Sequence, residues 1–196
     1  METPGLIMVI AAYLVGSIPF GLLIARARGV DIRSMGSGNI GATNVARCVG
    51  KAYGGVTLCL DFMKGLIPIV LYHALSGRHP GDPMPALIGF ASVLGHCFPI
   101  FLMGRGGKGV ATAAGVVLAF SPKAFLGTLA VFVVAAKLSG FVSVGSLLGS
   151  FSAPIWFHML SKDPFVEPFL WLMVLVVWVR HWSNIKRLMS GGEIKI

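Results

Sequence analysis

"VATAAGVVLAFSPKAFLGTLAVFVVAA", residues 110–136, decides how this chain is folded. It is largely apolar and is interrupted by Ser121-Pro122-Lys123. A helix crossing a bilayer needs about 20 apolar residues, so the stretch is long for one crossing and short for two. Proline removes a backbone donor from a helix, and the residue before it prefers an extended backbone. The stretch therefore reads as two short helices, 110–120 and 123–136.

The composition sets the context. Of 196 residues, 56% are hydrophobic and 12% charged, and the mean hydropathy is +0.84. Soluble domains carry about 25% charged residues, so this is a membrane chain. Its length suits one helical bundle, a single domain over 1–196. The other apolar runs are Leu6 to Ala25, Tyr53 to Leu75, Met84 to Met103, Phe141 to Met159 and Pro164 to Val179. With 110–136 split, they make seven expected spans. The N-terminus has no basic region and reads as a first spanning helix, not a cleaved signal.

Charge supports seven over six. With the N-terminus outside, the inner side collects Arg26, Arg28, Arg33, Arg47, Lys51, Arg105, Lys108, Lys137, Arg180, Lys186, Arg187 and Lys195. The outer side holds Arg78, Lys123 and Lys162, and Lys64 stays within the membrane. Six spans would put the basic tail opposite the first basic loop, against the positive-inside rule. The excess of 16 Lys and Arg over 7 Asp and Glu is thus a topology signal. Without aromatic-basic interleaving it does not indicate nucleic acid. Cys48, Cys59 and Cys97 lack metal spacing and read as apolar filler. No zinc set converges.

Four polar segments then share the cytoplasmic side: "RSMGSGNIGATNVARCVGK", "GRGGKGVAT", "KLSG" and "RHWSNIKRLMSGGE". In "GSGNIGATN", 36–44, glycines allow tight turns and close approach to a ligand, and successive amides can form an anion-binding concavity. Ser37, Asn39, Thr43 and Asn44 add donors, and Arg47 adds a fork suited to phosphate. In "GRGGKGVAT", 104–112, Arg105 and Lys108 flank Gly106-Gly107 just before an apolar helix, whose amide end attracts anions. The Walker pattern requires Lys followed by Ser or Thr. Here Gly109 follows Lys108 and the next hydroxyl is Thr112, so an ATPase is rejected and a phosphate cradle remains. The alternatives are a polar linker for the first segment and a topology-setting charge cluster for the second.

Other polar groups are scattered. Asp61 and Lys64 share a helix face and can pair; Lys64 either orders the site or touches ligand. His96 and His181 are ligand contacts or satisfied packing histidines, and Asn184 shares a face with His181. Trp178 and Trp182 suit an interfacial belt. Ser143 and Ser146 either line the cavity or bond their own backbone. Glu193 says little alone. "HMLSKD", 158–163, has a His-x4-Asp spacing known from one class of enzymes but falls on the outer side and reads as chance. No acid is positioned by sequence to orient either histidine, and no Ser or Cys has a triad. This disfavours covalent catalysis. It favours binding, or reaction of an already activated substrate through charge stabilisation and orientation.

In "GSIPFG" (16–21), "GSGNIGATNVARCVGKAYG" (36–54), "DFMKG" (61–65), "GHCFPIFLMGRGGKGVAT" (95–112) and "RHWSNIKRL" (180–188), the chain resembles the bacterial acyl-phosphate:glycerol-3-phosphate acyltransferases of the small integral membrane type. The resemblance implies a seven-span inner-membrane enzyme with an outward N-terminus and a cytoplasmic C-terminus. It would move a fatty acyl group from acyl phosphate to the sn-1 hydroxyl of glycerol 3-phosphate among membrane lipids. It would work without cofactor or metal, as an expected monomer with no nucleic-acid partner. It implies Lys108, Arg47, His181, Asn184 and His96 as catalytic residues. Ser37, Gly38, Asn39, Thr43, Asn44, Lys64, Arg105, Gly107, Thr112, Ser143 and Ser146 would bind substrate. Two positions depart from the family pattern: Arg105 stands where Lys is usual, and Gly140-Phe141 replaces Arg-Tyr. The rival classes are a transporter for phosphate-bearing solutes, which needs midplane polarity and two-sided access, and a non-catalytic scaffold.

Overall fold

The computed structural model describes residues 3–77, 81–161 and 163–196. Arg78 and Lys162, two of the three expected outer-side cations, lie outside the described residues. The described residues form ten α-helices and no strand: α1 (Thr3–Gly16), α2 (Phe20–Ala27), α3 (Ala42–Cys48), α4 (Lys51–Ser76), α5 (Met84–Cys97), α6 (Val110–Phe120), α7 (Pro122–Ser139), α8 (Val142–Leu160), α9 (Val166–Arg180) and α10 (Trp182–Met189). A 3-10 turn, Ile100–Leu102, follows α5.

The stretch 110–136 is two helices. Ser121 is extended, at φ −151° and ψ 100°, as a residue before proline prefers. Pro122 opens α7, where its missing N–H is no loss. The Ser121 hydroxyl caps the new helix by accepting the Ala124 N–H at 3.3 Å. α7 runs on to Ser139, so most of "KLSG" is helix and not connector; Gly140, at φ +78°, ends it.

The first apolar run, expected as one helix from Leu6, breaks at Ser17-Ile18-Pro19. Pro19 cannot donate along a helix. The Ser17 hydroxyl donates to the Tyr13 carbonyl at 2.8 Å, and Lys64 of α4 donates to the Ile18 carbonyl at 2.9 Å. The break is thus satisfied from inside the protein, the condition for irregular backbone at membrane depth.

Four helical runs are long and apolar enough to cross a bilayer: Gly5–Ala27, Lys51–Ser76, Met84–Leu102 and Pro122–Ser139; Val110–Phe120 is apolar but shorter. Their outer faces carry exposed Ile7, Ile10, Val70, Leu71, Leu126 and Val134. The main core joins α1, α4, α5, α6, α8 and α9 around Ile69, Ile88, Val93, Val116, Phe157 and Leu170. A separate apolar knot of Leu22, Ala25, Ile32, Ile40 and Val45 supports the polar loop between α2 and α3. α10 is amphipathic, with Asn184 buried and Trp182 and Met189 exposed.

Candidate active site

Asn44 shapes the first polar loop from within. Only 1% exposed, its Oδ1 accepts the Ser37 N–H at 2.9 Å. Its Nδ2 faces the carbonyls of Asn39 (2.9 Å), Met35 (3.0 Å) and Ile32 (3.3 Å). Asn39 Oδ1 accepts the Gly41 N–H at 2.8 Å, a local turn of the Asx type. Gly36 and Gly38 take positive φ, +58° and +69°. The result is a loop whose Ser37, Gly38 and Asn39 line a cavity. Thr43 and Arg47 stand exposed on α3, outside that lining.

The second loop is held by arginines. Arg180 donates from Nε to the Gly107 carbonyl at 3.0 Å and from Nη2 to the Gly106 carbonyl at 2.7 Å. Its guanidinium also lies over the Phe98 ring, 5.3 Å from the centroid. Arg33 Nη2 donates to the Arg105 carbonyl at 2.9 Å, tying the two loops together. The Gly107 N–H donates to the His96 carbonyl at 3.0 Å. A methyl on Gly107 would lie 2.1 Å from His96 Nε2, so any side chain there would have to displace the buried ring.

Lys108 leaves this loop and donates from Nζ to Asn184 Oδ1 of α10. Asn184 Nδ2 in turn donates to Glu193 Oε1 at 2.6 Å. Glu193 also accepts from Ser143 Oγ at 2.9 Å and from Arg187 Nε at 2.8 Å. The Ile196 N–H donates to the Gly140 carbonyl at 2.9 Å, which brings the tail to the α7–α8 turn. Residues from three of the four expected segments therefore join one network, with Ser143 of α8 added; "KLSG" meets only the tail, through the Gly140 carbonyl. Ser146 bonds its own backbone, donating to the Val142 carbonyl at 2.9 Å.

Between the loops and α10 lies a cavity of about 400 Å³ lined by Ser37, Gly38, Asn39, Arg105, Lys108 and, beyond the sequence expectation, Arg33, Arg180, Ser183 and Arg187. Five cations and no carboxylate line it. That field suits a phosphorylated ligand and would stabilise negative charge growing on one. Arg180, Ser183 and Arg187 recur at helical spacing, a signal available in the sequence.

Burial pushes the Lys108 ammonium down to about 8; Glu193 opposes the fall, while Arg187, Arg180 and Arg47 add to it. Burial likewise pushes His181 down to about 4, with the Lys108 charge adding to the fall. His181 is 2% exposed, and its Nδ1 sits 2.8 Å from the Val177 carbonyl. A neutral imidazole donating from Nδ1 keeps a lone pair on Nε2. Burial raises Glu193, but hydrogen bonds from Asn184, Arg187 and Ser143 outweigh it and hold the carboxyl below its ordinary value.

Behind the cavity sits a buried cluster. Lys64 Nζ lies 2.9 Å from Asp61 Oδ1, and His96 Nδ1 lies 3.6 Å from the same oxygen. The acid facing His96 is therefore Asp61, which sequence spacing cannot reveal because it stands on another helix. Thr112 Oγ1 donates to the Asp61 carbonyl at 2.9 Å, where α6 crosses α4. Neither Lys64, His96 nor Thr112 lines the large cavity. Among the described residues no cluster of His, Cys, Asp or Glu is arranged to hold a metal.

Residues 6–191 match the family model described as glycerol-3-phosphate acyltransferase. A Geobacter sulfurreducens glycerol-3-phosphate acyltransferase is 45% identical over 96% of this chain and 95% of its own. An Aquifex aeolicus protein of the same name is 43% identical over 96% of this chain and 97% of its own. Among solved structures, the integral membrane glycerol 3-phosphate acyltransferase PlsY (YgiH) in its glycerol 3-phosphate form superposes with a TM-score of 0.94. It is 40% identical, with 98% of this chain and 96% of that one covered. Its lysphosphatidic acid form gives a TM-score of 0.91 at 40% identity, over 98% of this chain and 95% of that one.

Proposed function

Because this chain belongs to the glycerol-3-phosphate acyltransferase family, we propose that it transfers a fatty acyl group from acyl phosphate to the sn-1 hydroxyl of glycerol 3-phosphate, giving lysophosphatidate and inorganic phosphate. The observation that carries the reading is the cavity lined by five cations and the Ser37-Gly38-Asn39 turn. Both substrates bear phosphate, and fixed cations bind it before the reaction begins. The glycerol 3-phosphate and lysphosphatidic acid forms of PlsY, 40% identical to this chain, support the acceptor and the product.

The transfer is direct. Acyl phosphate is a mixed anhydride, so its phosphate is already a good leaving group. The acceptor phosphate is anchored and its hydroxyl aimed at the acyl carbonyl. The hydroxyl oxygen bonds to the carbonyl carbon, the carbon–oxygen bond to phosphate breaks, and the electron pair departs with phosphate. The hydroxyl proton ends on that phosphate, directly or through the neutral His181. Lys108 and the cavity arginines hold the charge that gathers on the leaving group.

The enzyme sits in the bacterial inner membrane as a monomer with seven crossings: α1–α2 together, then α4 to α9. The N-terminus is outside, and the cavity and tail are cytoplasmic. The short α6 and α9 cross where neighbouring helices shield them or the bilayer thins. The test is purified protein supplied with acyl phosphate and radiolabelled glycerol 3-phosphate, with lysophosphatidate counted. Turnover is expected with acyl phosphate and not with acyl-CoA; product from acyl-CoA alone overturns the donor assignment.

A further inference from the structure

Asp61 and His96 lie outside the large cavity, and His96 touches the loop that carries Lys108. Both are nearly fully buried, at 3% and 7% exposure. His96 Nδ1 is a buried polar atom with no hydrogen-bond partner among the described residues. Such atoms are rare in folded proteins and call for an explanation. It faces Asp61 Oδ1 at 3.6 Å, too far for a direct hydrogen bond. Beside the pair lies a cavity of about 10 Å³ lined by Ser17, Ile18, Asp61, Lys64, His96 and Pro99. That is about the space one water requires, and the walls offer the polar partners it needs. The other end of the imidazole leads to the loop. A methyl on Gly107 would meet Nε2 at 2.1 Å, and the His96 carbonyl accepts the Gly107 N–H.

We propose that Asp61, through a single buried water and the His96 ring, is a positioning residue that fixes the Gly106-Gly107-Lys108 backbone in its phosphate-holding shape. The water accepts the Nδ1 proton and donates to the Asp61 carboxylate, so one ring orientation is selected, with hydrogen on Nδ1. Lys64 neutralises Asp61 and also holds the broken α1–α2 backbone at Ile18. The cluster thereby couples that break to the loop. The role rests on the reading of loop 104–109 as part of the phosphate site.

Two measurements test it on the full chain in detergent. The first is the ¹⁵N spectrum of histidine-labelled protein, with His96 assigned from its loss in His96→Gln. The Nδ1–H tautomer is expected in the wild type. It should give way to a tautomer mixture in Asp61→Asn/Lys64→Met, a pair that leaves no unpaired charge, while the His181 signal stays in place. The second is a mutant cycle with Gly107→Ala. The paired variant and Gly107→Ala should each lower kcat/KM about tenfold, and together they should lose no more than the worse alone, as for residues acting through one another. An unchanged His96 tautomer, or losses that multiply, overturns the relay. The spectrum is read whether or not the protein turns over acyl phosphate. An inactive wild type therefore counts against the function, and an unaltered tautomer counts against the relay.

Discussion

The Lys108 ammonium donates to the side-chain carbonyl of Asn184, 76 residues further along the chain. This joins the Gly106-Gly107 loop to the last helix and sets Lys108 in the wall of the cationic cavity. Its depressed value, about 8, follows chiefly from burial. The profile of kcat/KM reports groups in the free enzyme. Activity should therefore fall as pH rises through about 8, as Lys108 loses its proton. Lys108→Arg, which stays charged, should shift that alkaline limb upward by at least one pH unit even if its maximum rate is lower. An unmoved limb would show that another group titrates.

Arg180 uses two donors on two consecutive carbonyls, those of Gly106 and Gly107. A lysine is a point donor and lacks the planar fork. Arg180→Lys should lower kcat/KM about tenfold and lower the thermal midpoint in detergent, although the charge survives. Kinetics and thermal unfolding side by side check this; wild-type values in both would reduce Arg180 to a bystander charge.

Glu193 gathers Asn184, Arg187 and Ser143, and these bonds hold its carboxyl below the ordinary value of 4.5. A carboxyl lowered on folding stabilises the protein above its unfolded value and loses that contribution as pH falls through the folded one. Glu193→Gln should thus lower the thermal midpoint at pH 7, and the gap to wild type should narrow below about pH 4. A gap independent of pH would mean that shape, and not charge, makes the contribution.

The orientation has its own test. In a cysteine-free background, Met103→Cys and Lys195→Cys should react with an impermeant thiol reagent from the cytoplasmic face. Gly81→Cys and Lys123→Cys should react from the opposite face. Labelling of residues 103 and 123 from one side would remove the α6 crossing and leave 110–136 with one at most.

What the sequence made legible follows from how locally each feature is determined. Pro122 acts on its own backbone and on Ser121, so the α6–α7 break could be read directly. Pro19 has the same local chemistry, yet the break beside it also depends on Lys64, which reaches the Ile18 carbonyl from α4. The loop glycines and the cations Arg105 and Lys108 pointed to the segments that line the cationic cavity. Asn44 could have faced a ligand or its own loop; only the folded chain turns it inward onto four backbone groups. Asp61 could be matched to Lys64 by helical spacing, whereas its approach to His96 depends on how α4 packs against α5. Ser146 and Thr112 look like site hydroxyls by type, but Ser146 bonds the backbone of its own helix and Thr112 bonds α4, which packs against it.

The central claim is direct acyl transfer inside the cavity that Lys108 lines. A single-turnover rapid quench with acyl-labelled acyl phosphate and glycerol 3-phosphate tests it. Label should pass into lysophosphatidate in step with phosphate release, with none on the protein. Lys108→Ala should slow that transfer at least about a hundredfold, the scale for losing one charge-stabilising donor. An acyl–protein adduct that precedes product, or a Lys108→Ala protein that transfers at the wild-type rate, would contradict the account.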